Sequence, residues 1–158
     1  MLPTTIIRPF APADRQAVRD ICVATCWMGE YRPEVLPDDW IWAEHWTRYF
    51  TDKRSDCTFV TCIADAPTGE AQYASQVGYL TGTPDAREFD RYGAWLVPGI
   101  VGHVISRRLL RQRVARKAIA MMLRSMIRGE LSVPRHVVRK FPATAHVDLL
   151  PAARGTGA

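Results

Sequence analysis

The sequence predicts a mixed α/β (α+β) domain, and three observations predict it. A β-branched opening run, "TTIIRPF", leads into a helical pattern. Two strand-like runs flank turn chemistry and form a hairpin over residues 57 to 82. A long stretch of helical spacing then precedes a last strand, "ATAHVDLL". The 158 residues suit one domain, and 47% hydrophobic residues suffice for its core. No internal repeat or linker divides the chain.

Each element has a local reason. Pro9 ends the first strand, and Pro12 suits the first turn of the helix in "APADRQAVRDICVATCW". Val18, Ile21, Cys22 and Thr25 fall at helical spacing there, and Gly29 and Pro33 break the pattern. "PDDWIWAEHWTRYF" reads as a second helix opened by Asp38 or Asp39, with Trp42 and Trp46 on the side that buries against a sheet. "CTFVTCIAD", the turn "PTGE" and "SQVGYLTGT" make the hairpin. "PDAREFDRYGAWLV" predicts a helix ending near Pro98 and Gly99. The segment from Ile105 to Glu130 predicts the longest helix. Its apolar stripe runs through Ile105, Leu109, Ile119, Met122, Leu123, Met126 and Ile127, and Gly129 stands where a C-terminal cap belongs.

Composition excludes several classes. No run of 18 apolar residues exists, so no membrane span and no membrane partner are expected. The start lacks a signal-peptide pattern, which points to the cytoplasm. Cys22, Cys26, Cys57 and Cys62 form no CxxC pair, so neither a disulfide nor a metal site is expected, and His45 and His103 read as ordinary residues. Cys22 and Cys26, one helical turn apart, read as small buried apolar side chains. Charge is uneven. Residues 1 to 103 carry 9 Lys/Arg against 14 Asp/Glu, whereas residues 104 to 140 carry 11 against the single Glu130. Arg107, Arg108, Arg111, Arg113, Arg116 and Lys117 crowd one segment, which reads as a nucleic-acid or acidic-membrane contact, a face that attracts an acidic acceptor, or a solvated surface. Residues 104 to 140 hold no aromatic side chain to stack bases, which counts against nucleic acid.

The chain closes on "HVDLLPAARGTGA". Glycines after a strand let successive amides converge on an anion, and a helix start adds its positive end. The phosphate-loop string GxxxxGK[ST] is absent, and GxGxxG is not completed. On its own, the closing turn is either part of an anion-binding loop or an ordinary flexible end.

"LLPAARGTGA" resembles the acyl-CoA-binding motif of the GNAT acetyltransferase superfamily. There a strand ends in a bulge, and an R/Q-x-x-G-x-G/A loop wraps the CoA pyrophosphate. "VGYLTGTPDAREF", "WLVP" and "FPATAHVDLLP" are similar to one bacterial subgroup, akin to the acetyltransferase-like domain of O-GlcNAcase. The likeness is good at 76 to 98 and 141 to 157, and poor through 100 to 135. It implies a mostly antiparallel sheet flanked by helices, and N-acetyl transfer from acetyl-CoA to a primary amine. It assigns carbonyl polarisation to the Leu149 or Leu150 amide. The anion cradle falls to Gly155, Thr156, Gly157 and Ala158, with Arg154 nearby. It also implies that the chain stops inside its signature loop and lacks the C-terminal part of the fold. The last strand then has an unpaired edge, apolar surface is uncovered, and activity is impaired.

Amine acetylation needs a base, and the strand offers His146 and Asp148, two apart and so on one face. The other reading of this pair is mutual satisfaction at the sheet surface. Asp85 and Tyr31 are candidates for holding the acceptor, a small molecule or a peptide amine. Asp85 is equally well placed to cap a helix, and Tyr31 to pack. Two further functions remain open: a non-catalytic acetyltransferase-like interaction module, and a basic nucleic-acid-associated protein.

Overall fold

A computed structural model describes residues 4–64, 75–130 and 133–155. The predicted turn "PTGE" and the cradle residues Thr156, Gly157 and Ala158 lie outside them. Four strands form one sheet in the order β1 (Thr4–Pro9), β2 (Thr58–Ala64), β3 (Ser75–Thr83) and β4 (Thr144–Leu149). Every pairing among the described residues is antiparallel.

Alternation gives the sheet two unlike faces. Val60 and Cys62 of β2 and Tyr79 of β3 meet Val18, Ile21 and Cys22 of α1 (Arg15–Thr25), the predicted stripe, in one buried cluster. The opposite face carries Ile7, Phe59, Leu80 and Val147, all exposed. Register makes them neighbours, with Phe59 opposite Leu80 and Leu80 opposite Val147. Among the described residues nothing covers this apolar surface, and β4 pairs with β3 alone.

Helix α2 (Asp39–Asp52) starts where Asp38 caps it, its Oδ1 accepting from the Ile41 amide at 3.0 Å. Trp46 packs against the sheet cluster. Trp42 instead joins a second cluster built on Leu36, Ile41, Leu109, Ala115 and Ala118.

The helical segments after the hairpin differ from expectation in three places. Helix α3 (Ala86–Ser106) runs through Pro98 rather than ending there. Pro98 is exposed, so water can take the carbonyl that its missing N–H leaves free. Ile100 and Val104 pack on the second cluster and hold the helix beyond the proline. The predicted helix from Ile105 to Glu130 is broken instead. Arg108 takes a left-handed conformation, a 3-10 turn follows over Leu109–Arg111, and α4 spans Arg113–Ile127. The break lets Leu109 turn into the second cluster. Gly129 does cap α4: its φ is +71°, the Glu130 amide donates to Ser125 O at 2.9 Å, and its own amide donates to Met126 O at 3.0 Å. The predicted stripe is mostly not buried. Leu109 is, but Ile105, Met122, Leu123, Met126 and Ile127 are exposed. A short helix, α5 (Arg135–Lys140), precedes β4 and was not predicted.

Candidate active site

β4 sets the site because its register with β3 fixes which side chains share a face. Asp148 stands opposite Tyr79, and His146 opposite Thr81. All four point toward α1 and α2. There His146 and Asp148 border a cleft of about 490 Å³ that Thr25, Cys26, Gly29 and Trp46 help to line.

The sequence-predicted pair is brought together. His146 Nε2 lies 2.9 Å from Asp148 Oδ2. The same oxygen accepts the Tyr79 hydroxyl at 2.5 Å. Trp46 stacks on the imidazole, with ring centroids 5.7 Å apart and planes 16° apart. Burial alone would push the Asp148 carboxyl up. The hydrogen bonds from His146 and Tyr79 outweigh it and hold the group below the usual carboxylate range. Burial pushes the Tyr79 phenol far above its ordinary value, so it stays a donor. Asp148 is therefore an acceptor only, and the hydrogen on His146 sits on Nε2. In the neutral imidazole the lone pair then lies on Nδ1.

Two residues of this centre were missed. Tyr79 is fully buried on β3, and its link to Asp148 depends on which strand lies beside it. Trp46 was expected to bury against the sheet, and it does so with one face on His146. The nearby cysteines offer no thiolate. Burial pushes Cys22 up to about 12 and raises Cys26 as well. Cys22 is fully buried, as expected, whereas Cys26 is only partly so.

The two candidate polarising amides differ. Leu150 N–H donates to Val77 O at 2.8 Å, so it is spent on the sheet. That corrects the Leu150 alternative. Gly78 pairs with Leu149, and antiparallel ladders alternate between bonded and non-bonded pairs. The Leu149 N–H therefore turns to the open edge of β4.

Past the strand, a 3-10 turn over Pro151–Ala153 brings Arg154 back across the cleft. Its Nε donates to Leu149 O at 3.1 Å and its Nη2 to Gly29 O at 2.7 Å. Arg154 thus spends two donors tying the closing loop to the turn after α1. Gly29 has φ +87°, and a Cβ there would lie 2.6 Å from Arg154 Nη2. Gly155 has φ +74°, the backbone conformation that turns successive amides into a concavity.

The acceptor candidates are not in the cleft. Asp85 caps α3, accepting from the Arg87 amide at 2.9 Å, and lies away from the residues that line the cleft. Tyr31 is half exposed beyond Gly29 and is not among the lining residues. His103 has a partner that the sequence did not suggest: its Nε2 lies 2.9 Å from Asp38 Oδ2, and its ring stacks on Trp40 at 4.2 Å.

No family model and no curated protein sequence matches the chain. Among solved structures it is similar to the crystal structure of SsHAT, with a TM-score of 0.67 and 28% sequence identity. The match covers 98% of this chain and 71% of SsHAT. SsHAT is a GNAT-like acetyltransferase. The antiparallel sheet and its flanking helices, together with that match, give this chain the GNAT-type acetyltransferase fold.

Proposed function

We propose that the chain is an acetyl-CoA-dependent N-acetyltransferase acting on a primary amine, with His146 as the general base. The observation that carries this reading is the hydrogen-bonded His146–Asp148 pair, which opens on a cleft beside the outward amide of Leu149.

Each residue has a role that follows from its contacts. Nδ1 of His146 takes the acceptor's proton, because Nε2–H is held by Asp148. Asp148 fixes the tautomer and stabilises the imidazolium that forms. Tyr79 steadies Asp148 as an anion, and Trp46 holds the imidazole plane. The residues fit an acyl-CoA. The Leu149 N–H is an unspent donor at the strand edge, where charge develops on a carbonyl oxygen. Gly155, with the neighbouring amides of Thr156, Gly157 and Ala158, has the composition that holds a pyrophosphate. Bound there, acetyl-CoA supplies an activated acyl carbon. The acceptor is a small-molecule or peptide amine.

The proposed compartment is the cytoplasm. All four cysteines are free, as suits reducing surroundings. No helix among the described residues is long and apolar enough to cross a membrane.

Two measurements test the reading: calorimetric titration with acetyl-CoA, and release of free thiol with a panel of primary amines. Binding and amine-dependent thiol release are expected. His146→Ala is expected to lower kcat by roughly 100-fold or more. No binding and no thiol release would remove the reading, and full turnover in His146→Ala would remove the base.

A further inference from the structure

From the surface of α4, we infer that its C-terminal half is an interfacial helix that docks the protein on an anionic lipid bilayer. The inference is independent of acetyl transfer. On a helical wheel, Arg113, Lys117, Arg124 and Arg128 form one stripe. Ala115, Ala118, Ile119, Met122 and Met126 form the opposite one. The first turns of that apolar side are docked, with Ala115 and Ala118 buried in the second cluster. The last turns run free of it. Met122, Leu123 and Met126, on or beside that side, are 36%, 54% and 56% exposed, and Met121 and Ile127, which flank the cationic stripe, are 52% and 87% exposed. A helix apolar on one side, cationic on the other and too short to span is the kind that lies in a headgroup region.

Charge complementarity selects the occupant. Residues 104 to 129 carry eight Lys/Arg and no Asp/Glu. Among the described residues, only Arg128 of these eight meets a carboxylate, Glu130 at 3.5 Å. A second copy is disfavoured, because a two-fold contact would set this cationic segment against itself. Nucleic acid would leave the methionine and isoleucine side chains without a dry partner, and no aromatic side chain from 104 to 140 is present to stack bases. An anionic bilayer satisfies both halves: the exposed apolar tips enter the acyl boundary, and the long cationic side chains reach back to the phosphates. The lack of a span led to the expectation of no membrane partner, although the arginine-rich segment left an acidic-membrane contact open; a missing span rules out crossing a bilayer and not lying on one.

The test is co-sedimentation of the full chain with vesicles of phosphatidylcholine alone and with added phosphatidylserine. Binding is expected only with phosphatidylserine, weakening as salt is raised. The variant L123S/M126S/I127S keeps every charge and is expected to bind roughly tenfold more weakly or worse. R113Q/K117Q/R124Q is expected to lose about fivefold per cation removed. These side chains are exposed, so unchanged circular dichroism and melting are expected of both variants. Absence of vesicle binding would overturn the inference. So would wild-type binding by L123S/M126S/I127S, which would reduce the contact to charge adsorption. A lipid-free dimer abolished by the same variant, or duplex DNA binding without vesicle binding, would assign the surface to another occupant.

Discussion

Tyr79 donates its phenolic proton to Asp148, the residue directly opposite it on the neighbouring strand. The donor is fully buried, and the acceptor also holds His146. One cross-strand pair thus links the core of the sheet to the chemistry of the cleft. Tyr79→Phe removes the hydroxyl and leaves the ring. Its cost to stability at neutral pH is expected to be about 1.5–3 kcal/mol, the range for a hydrogen bond to a charged group. Asp148 has a folded pKa below its unfolded value, so it stabilises the fold above the unfolded value, and that stability is lost as pH falls. Without Tyr79 the folded pKa rises toward the ordinary value, and the pH-dependent stabilisation shrinks. Urea denaturation across the acid range measures this. A pH dependence identical to wild type would show that the phenol does not hold Asp148.

Trp46 fixes the plane of the imidazole on which proton transfer depends. Trp46→Leu keeps an apolar side chain against the sheet cluster but removes the stacked partner of His146. The aromatic pair contributes about 0.5–1.5 kcal/mol beyond its buried area, so a modest loss of melting temperature is expected. The functional effect should fall on kcat more than on KM, because the ring orients a proton acceptor and does not grip the acceptor molecule. A KM-only change would place Trp46 in substrate binding instead.

The pair His146 and Asp148 was legible because strand periodicity alone puts both on one face. Tyr79 was not, because its bond to Asp148 spans 69 residues and depends on β3 lying beside β4. Periodicity likewise gave α4 an apolar side but could not say what covers it. The structure docks only the alanines at its start. Pro98 carried a correct local signal, yet Ile100 and Val104 anchor the helix beyond it, and tertiary packing overrides the break. Arg154 was named beside the closing turn, but its tie to Gly29 was not legible, since that partner lies in a turn 125 residues earlier.

Gly78 controls the geometry of the same site. A Cβ at this position would lie 2.3 Å from Leu149 Cδ2 and 2.8 Å from Asp148 O. The leucine tip can swing, but the carbonyl belongs to the strand backbone, so β3 and β4 must part. Gly78→Ala is therefore expected to destabilise by about 1–3 kcal/mol, as overpacking does. It should also disturb the Leu149 amide and the Tyr79–Asp148 bond together. Amide hydrogen exchange along β4 reports the strand separation. Unchanged protection there would refute the close approach.

Arg8 and Asp14 secure the entry to α1 and give the fold a second acid-sensitive element. Asp14 is 2% exposed. Its carboxylate accepts both Arg8 Nη atoms at 2.6 and 2.7 Å, the Ala11 amide at 2.8 Å and Gln76 Nε2 at 3.1 Å. The Arg8 hydrogen bonds chiefly hold its pKa below the ordinary value. The stabilisation is then complete above the unfolded carboxylate value of about 3.9 and is lost as pH falls through the folded value. Asp14→Asn leaves Arg8 without its counter-charge. Because Arg8 is partly in water, the cost is expected at the lower end for a broken buried pair, about 3 kcal/mol at neutral pH. The gap between wild type and variant should narrow on acidification, because protonation removes the same charge from the native protein. Denaturation midpoints at neutral and acid pH measure that gap, and a constant difference would mean that shape, and not charge, holds the entry to α1.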